Sequence, residues 1–135
     1  LKIVCDIDVL ASGVLFGGHA REILHRAAQG SLTNFVTQAI LQEVEEVLLR
    51  PKFGLKPEHV LQTLALFADT FEMVCPTCRI ETVKADPDDN MILEAAVAAS
   101  VDYIISGDKH LLNLGKYREI HMVSPAEFMN KNGNP

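Results

Sequence analysis

From one end of the chain to the other, short apolar runs of strand length alternate with longer stretches whose apolar residues recur at helical spacing. That alternation constrains the fold most, because parallel strands need a crossover between them, usually a helix. Lys2 to Ile7 reads as a buried strand, with Ile3, Val4 and Cys5 apolar and Asp6 ending the run. Gly13, Gly17 and Gly18 mark a loop. Helical spacing follows through Ile23, Leu24 and Ala27 and stops at Gly30. Residues 34–37 give a second strand. Thr37 then caps a helix carrying Ile40, Leu41, Val44, Val47 and Leu48, which Pro51 closes. Pro57 opens another helix, with Val60, Leu61, Leu64 and Phe67 on one side. Residues 71–74 read as a strand, and Asp86-Pro87 starts a helix striped by Ile92, Leu93, Ala96 and Val97. Further strands follow at 103–106 and 120–123. Ser124, Pro125 and Glu127 form a capping box for a short last helix, and 130–135 reads as a frayed tail. The pattern predicts a single α/β domain over residues 1–135, with helices on both faces of a mostly parallel sheet.

A chain of 135 residues with 48% apolar content can bury a core of its own. No apolar run is long enough to span a membrane, and the first one, interrupted by Asp6 and Asp8, is too short for a secretory signal. The chain opens on Leu1 rather than methionine, which points to residues ahead of it. Three cysteines fit a reducing cytoplasm better than a disulfide framework. Cys75 and Cys78 have CxxC spacing, but one pair supplies only two metal ligands. They read as two small, semi-buried residues near a strand end. A net charge of −6 argues against coating nucleic acid by bulk charge, though not against reaching phosphates through bound cations.

In parallel α/β folds, ligands bind at the carboxyl ends of the strands. Asp6 and Asp8 fall at the end of the first strand and would share a face if it continued. Asp86 and Asp88 suit a helix N-terminus, where caps and negative charge are favoured. Asp89 is different. At helical pitch it lies near the centre of the stripe formed by Ile92, Leu93 and Ala96, where a carboxylate is costly unless a cation compensates it. Asp108 follows Ser106-Gly107 at another strand end. Each of these acids alone also reads as a cap or turn residue. Their recurrence at one sheet edge is what points to a divalent-metal site. Glu46 lies opposite the apolar stripe of its helix, while Glu43 and Glu45 flank it, and periodicity does not choose between those two.

Several of these segments together resemble PIN domains. Ile3 to Leu10 is similar to the family's opening strand, Ile40 to Val44 to its helix with one acid, and Ser106 to Leu112 to its late motif. Leu48 to Phe53 and Asp86 to Asn90 resemble a PIN subgroup described as toxins of toxin–antitoxin pairs. The resemblance runs from Lys2 to Met129 and implies a three-layer α/β/α fold. It implies an acidic quartet of Asp6, Glu43, Asp89 and Asp108 holding Mg²⁺ or Mn²⁺, with Ser106 and Asp8 in support. It thereby selects Glu43 over Glu45. It further implies hydrolysis of RNA phosphodiester bonds to leave a 5′-phosphate, and a partner antitoxin that blocks the pocket. Arg21, Arg26, Arg50, Lys52 and Lys109 are the cations available for backbone phosphates. Small domains of this type often form symmetric dimers, and a homodimer is expected. The sequence departs from the family pattern where Ile7 stands for a threonine, Asp8 for an asparagine and His110 for a second acid.

Two other readings stay open. A PIN-like domain can serve as a non-catalytic RNA- or protein-binding module. Asp6-Ile7-Asp8 also fits the opening of haloacid-dehalogenase-like phosphatases, with Asp6 as nucleophile and Asp8 as general acid. A response-regulator receiver would need an aspartate at its third strand, and none occurs between Asp8 and Asp69.

Overall fold

The computed structural model describes residues 1–77, 79 and 87–132. In chain order the elements are β1 (Lys2–Cys5), α1 (Ile7–Leu15), α2 (Gly18–Ala28), β2 (Thr33–Val36) and α3 (Gln38–Leu48). A 3-10 turn (Pro51–Phe53) leads to α4 (Pro57–Thr70), β3 (Glu72–Met73) and α5 (Pro87–Ala99). The chain continues through β4 (Tyr103–Ile105), α6 (Lys109–Leu114), β5 (Lys116–Tyr117), β6 (Ile120–Val123) and α7 (Pro125–Asn132).

The strands form one sheet in the order β3-β2-β1-β4-β6-β5, parallel throughout except for β5, which pairs antiparallel with β6 at the edge. Successive residues of a strand face opposite sides of a sheet. Ile3, Val4 and Cys5 are nevertheless all fully buried, as are Ile104 and Ile105, so both faces of the two central strands are covered. The predicted α/β architecture is the observed one. Among the described residues no helix is long and apolar enough to cross a membrane.

The largest correction lies directly after β1. The expected strand to Ile7, with Asp6 and Asp8 on one face, stops at Cys5, and the expected glycine loop shrinks to Phe16-Gly17, with Gly13 inside α1 and Gly18 opening α2. Ile7, Leu10 and Ala11 recur at helical spacing and are buried, with Val9 beside them. Asp6 has extended backbone and caps the new helix, its Oδ1 accepting from Val9 N at 2.8 Å. Gly13 sits inside α1, where a methyl would press into the Leu24 side chain of α2. Arg21 ties the corner between the two helices, donating Nε to Gly13 O and Nη2 to Val14 O, each at 2.9 Å. It thereby satisfies carbonyls at a helix end.

Other differences are smaller. Gly107-Asp108 is not only a turn: Asp108 caps the short helix α6, which the sequence reading omits along with edge strand β5. The last helix extends through Asn132, so residues 130–132 are helical and not tail. Leu61, expected on the apolar side of α4, is 60% exposed. Thr37 caps α3 as expected, accepting from Ile40 N at 3.1 Å. The proposed cap Asp86, the side chain of Asp88, and Cys78 lie outside the described residues.

Candidate functional site

Sheet order decides where a site can form. The chain moves outward from β1 through β2 to β3, then returns to lay β4 on the other side of β1. A reversal of this kind opens a crevice beyond the carboxyl ends of the two strands. Register then brings specific residues together. Cys5 pairs with Ile105, and Asp6 N donates to Ile105 O at 2.9 Å, so the next residues, Asp6 and Ser106, lie side by side. The Ser106 hydroxyl donates to Asp6 Oδ2 in a short hydrogen bond. It also accepts from Asp108 N at 2.9 Å, and Asp108 Oδ1 accepts from His110 N at 2.7 Å. Ser106 thus links the ends of β1 and β4.

On β1's other side, Cys5 N donates to the side-chain oxygen of Asn34 at 3.1 Å. Asn34 is 1% exposed, and the sequence reading treats it only as a strand start. A polar residue inside an apolar strand was the available signal, since such a group needs a buried partner.

A cavity of about 200 Å³ opens at this edge, lined by Asp6, Ile7, Asp8, Glu43, Val47, Arg50, Asp89, Ile92 and Asp108. Five carboxylates from four separate segments therefore share one pocket. Asp6 comes from the end of β1, Asp8 from the first turn of α1 and Glu43 from mid-α3. Asp89 comes from the first turn of α5, which packs on β1, β2 and β4, and Asp108 from the cap of α6. Asp6 and Asp89 are only 4% and 6% exposed, whereas Asp8 is exposed and Glu43 and Asp108 are half-buried. Glu45 does not line the cavity.

The burial has an electrostatic consequence at Asp6. Loss of solvent pushes its pKa up to about 6. The hydrogen bonds from Ser106 and Val9 pull it down, and the charges of Asp8 and Asp108 push it up further. The neighbouring Cys5 thiol is fully buried, and that burial, with the Asp6 charge, raises its pKa well above the usual thiol range. It behaves as a packed core residue and not as a reactive thiol. Among the described residues no three acidic, histidine or cysteine side chains stand close enough together to hold one ion as they are placed.

The expected phosphate-binding cations divide. Arg50 lines the acidic cavity, and among the described residues no other Lys or Arg does so. Lys52 is exposed in the adjoining 3-10 turn, and Lys109 is exposed in the first turn of α6 beside Asp108. Arg21 is committed to the carbonyls of α1 and lines a different, mainly apolar groove. Arg26 pairs with Glu22 at 3.4 Å.

A family model for the PIN domain matches residues 2–110, and the chain belongs to the PIN domain family. Among solved structures, one similar chain is found in the crystal structure of VapBC2 from Rickettsia felis bound to a DNA fragment from their promoter. Its TM-score is 0.65 at 11% identity, covering 92% of this chain and 98% of that one, a likeness of fold. No curated protein matches the chain by sequence. Membership of the PIN family sets the phosphatase reading of Asp6 and Asp8 aside.

Proposed function

We propose that this chain is a divalent-metal-dependent endoribonuclease, and that it acts as the toxin of a toxin–antitoxin pair. One observation carries the catalytic reading: Asp6, Glu43, Asp89 and Asp108, far apart in sequence, line one cavity at the carboxyl edge of the sheet. Hard divalent cations such as Mg²⁺ and Mn²⁺ take oxygen ligands, and this donor set is entirely carboxylate. Burial, with a further push from the charges of Asp8 and Asp108, disfavours the ionised form of Asp6, and a bound cation would offset both, so the residues fit the metal in kind. Asp6, Asp89 and Asp108 would hold it, with Glu43 and the exposed Asp8 at the cavity wall. When bound, such an ion polarises the phosphoryl oxygens and lowers the pKa of a nearby water.

The remaining work falls to the protein. Ser106 fixes the direction of the Asp6 carboxylate by holding Oδ2, while Val9 N holds Oδ1. Ile7, Val47 and Ile92 give the cavity apolar wall, which reduces competition from bulk water. Glu43, half-buried on α3 and lining the cavity, would take the proton of the attacking water. Arg50 offers a planar fork of donors to the non-bridging phosphate oxygens at the cavity wall. The toxin reading is supported by the fold shared with a chain of the VapBC2 structure. An antitoxin segment bearing an arginine would match the acidic cavity by charge, and a homodimer is part of the same proposal.

The test is incubation of the purified protein with a labelled pool of structured RNA, with Mg²⁺ or Mn²⁺ and separately with EDTA. Cuts that need metal and vanish in Asp89→Asn are the expected result. Metal binding without any cutting would favour instead a non-catalytic RNA- or protein-binding module. The observation behind that second reading is that no three acidic, histidine or cysteine side chains stand together to hold one ion among the described residues.

A further inference from the structure

Phe16, at the end of α1, is 74% exposed, the most exposed large hydrophobic side chain among the described residues. Its ring meets that of Phe53 edge-on, with centroids 6.3 Å apart and planes at 71°. Phe53 closes the Pro51–Phe53 turn, and Lys52 Nζ stands 5.1 Å from the centre of its ring. Phe53 N donates to Arg50 O at 3.0 Å, so the aromatic pair lies one hydrogen-bonded turn from the arginine that lines the acidic cavity. Pro51 fixes the entry of this turn and Gly54, with φ of 62°, ends it, so the spacing from Arg50 to Phe53 is preset. Core packing does not call for a phenylalanine three-quarters in solvent, and an exposed aromatic beside a functional cleft marks a contact site.

The chemistry around the pair selects the occupant. A surface made for another protein's apolar side chains would be depleted in lysine. Here Lys52 lies against the Phe53 ring, and Arg50, at the start of the same turn, lines the cavity. Aromatic faces flanked by cations are the means by which single-stranded nucleic acid is held, the bases stacking while the cations meet the backbone. Resting on the nuclease reading above, we infer that Phe16 and Phe53 form a stacking platform for an unpaired base of the RNA substrate. Arg50 and Lys52 hold the phosphates leading from that base into the acidic cavity. A base inside a duplex has no free face to offer to such a platform.

The test measures fluorescence anisotropy of a random single-stranded RNA decamer, and of a fully paired duplex, with wild-type protein in EDTA. Phe16→Ala and Phe16→Tyr are compared with it; position 16 is largely in solvent, so folding is retained and is checked by circular dichroism. The expected result is about tenfold weaker single-strand binding by Phe16→Ala, in the range set by loss of one stacked base. Phe16→Tyr, which keeps an aromatic face, should bind like wild type, and duplex affinity should not change. Equal affinity of Phe16→Ala and wild type, an equal loss on duplex, or no single-strand binding by wild type would each overturn the platform. So would a loss of self-association in Phe16→Ala with RNA affinity unchanged, which would assign the face to a second copy of the chain. The nuclease reading fails separately. Binding that depends on Phe16 without metal-dependent cutting keeps the platform and removes the nuclease, whereas cutting with unaltered KM in Phe16→Ala does the reverse.

Discussion

The two sides of the cavity are built in opposite ways. On the sheet side, Asp6 is 4% exposed and both its oxygens are engaged, one by Val9 N and one by the Ser106 hydroxyl, itself fully buried. On the rim, Arg50, Lys52 and Phe16 stand in solvent, positioned by a short turn and the end of a helix. A desolvated carboxylate costs stability, and the fold offsets that cost with two hydrogen bonds. Exposed cations and rings cost little and contribute little to folding. The sheet side therefore couples site to stability, and the rim does not. Substitutions can break or sharpen that contrast.

The largest effect is expected at Asp6. Its pKa is raised from 3.8 to about 6, so the folded chain holds this proton more firmly than the unfolded chain. Between those values the native state binds more protons, and stability falls as pH rises through the window. By pH 7 the accumulated cost is about 3 kcal/mol as an order of magnitude. An asparagine carries no charge but keeps an oxygen able to accept from Val9 N. Asp6→Asn should therefore be more stable than wild type at pH 7.5 in EDTA, by up to about 3 kcal/mol, with the difference gone below pH 4. Urea unfolding across that range measures it. A mutant less stable than wild type at every pH would mean that the buried charge is not what strains the site.

Ser106→Ala should act next in size. It removes the donor to Asp6 Oδ2 and the acceptor for Asp108 N. Leaving a buried acceptor unsatisfied costs about 1–3 kcal/mol. The hydroxyl also lowers the pKa of Asp6, so its loss raises that pKa further above 6. The falling limb of stability against pH should then extend to higher pH than in wild type, as read from urea midpoints in EDTA. An unchanged limb would place the hydroxyl's role in packing alone.

The same contrast explains what was legible in the sequence. The alternation of apolar runs was sufficient for the parallel sheet, because burial on both faces leaves β1 as the unbroken run Ile3-Val4-Cys5. Asp89 was legible because a charge in an apolar helical stripe contradicts its period, and it is indeed buried. Asp6 was found but its setting was misread. Ile7 to Ala11 satisfies both a continuing strand and a helix, and only the cap at Asp6 and the packing of α2 on Gly13 decide between them. Arg21 shows the limit for cations: nothing local says whether a guanidinium meets solvent, phosphate or a helix end, and here it meets the last. Phe16 was passed over because exposure is a tertiary property, and an aromatic residue at a helix end reads as core.

Arg50→Ala gives the smallest expected effect on the fold and the clearest view of the rim. The side chain is exposed, so unfolding free energy should stay within about 0.5 kcal/mol of wild type. Its proposed contribution is to one phosphate contact, which binding in varied salt can isolate. Each such contact on a single strand contributes about 0.7 to the slope of log affinity against log salt concentration. Arg50→Ala should therefore flatten the slope for a single-stranded decamer by about 0.7. Double substitution with Lys52→Ala should flatten it by roughly twice that, still without moving the urea midpoint. A stability loss of the size expected for Ser106→Ala would show that the rim is structurally coupled to the sheet side after all. A slope unchanged in both variants would remove Arg50 from the path of the backbone and leave its position in an acidic wall to be explained by local charge balance.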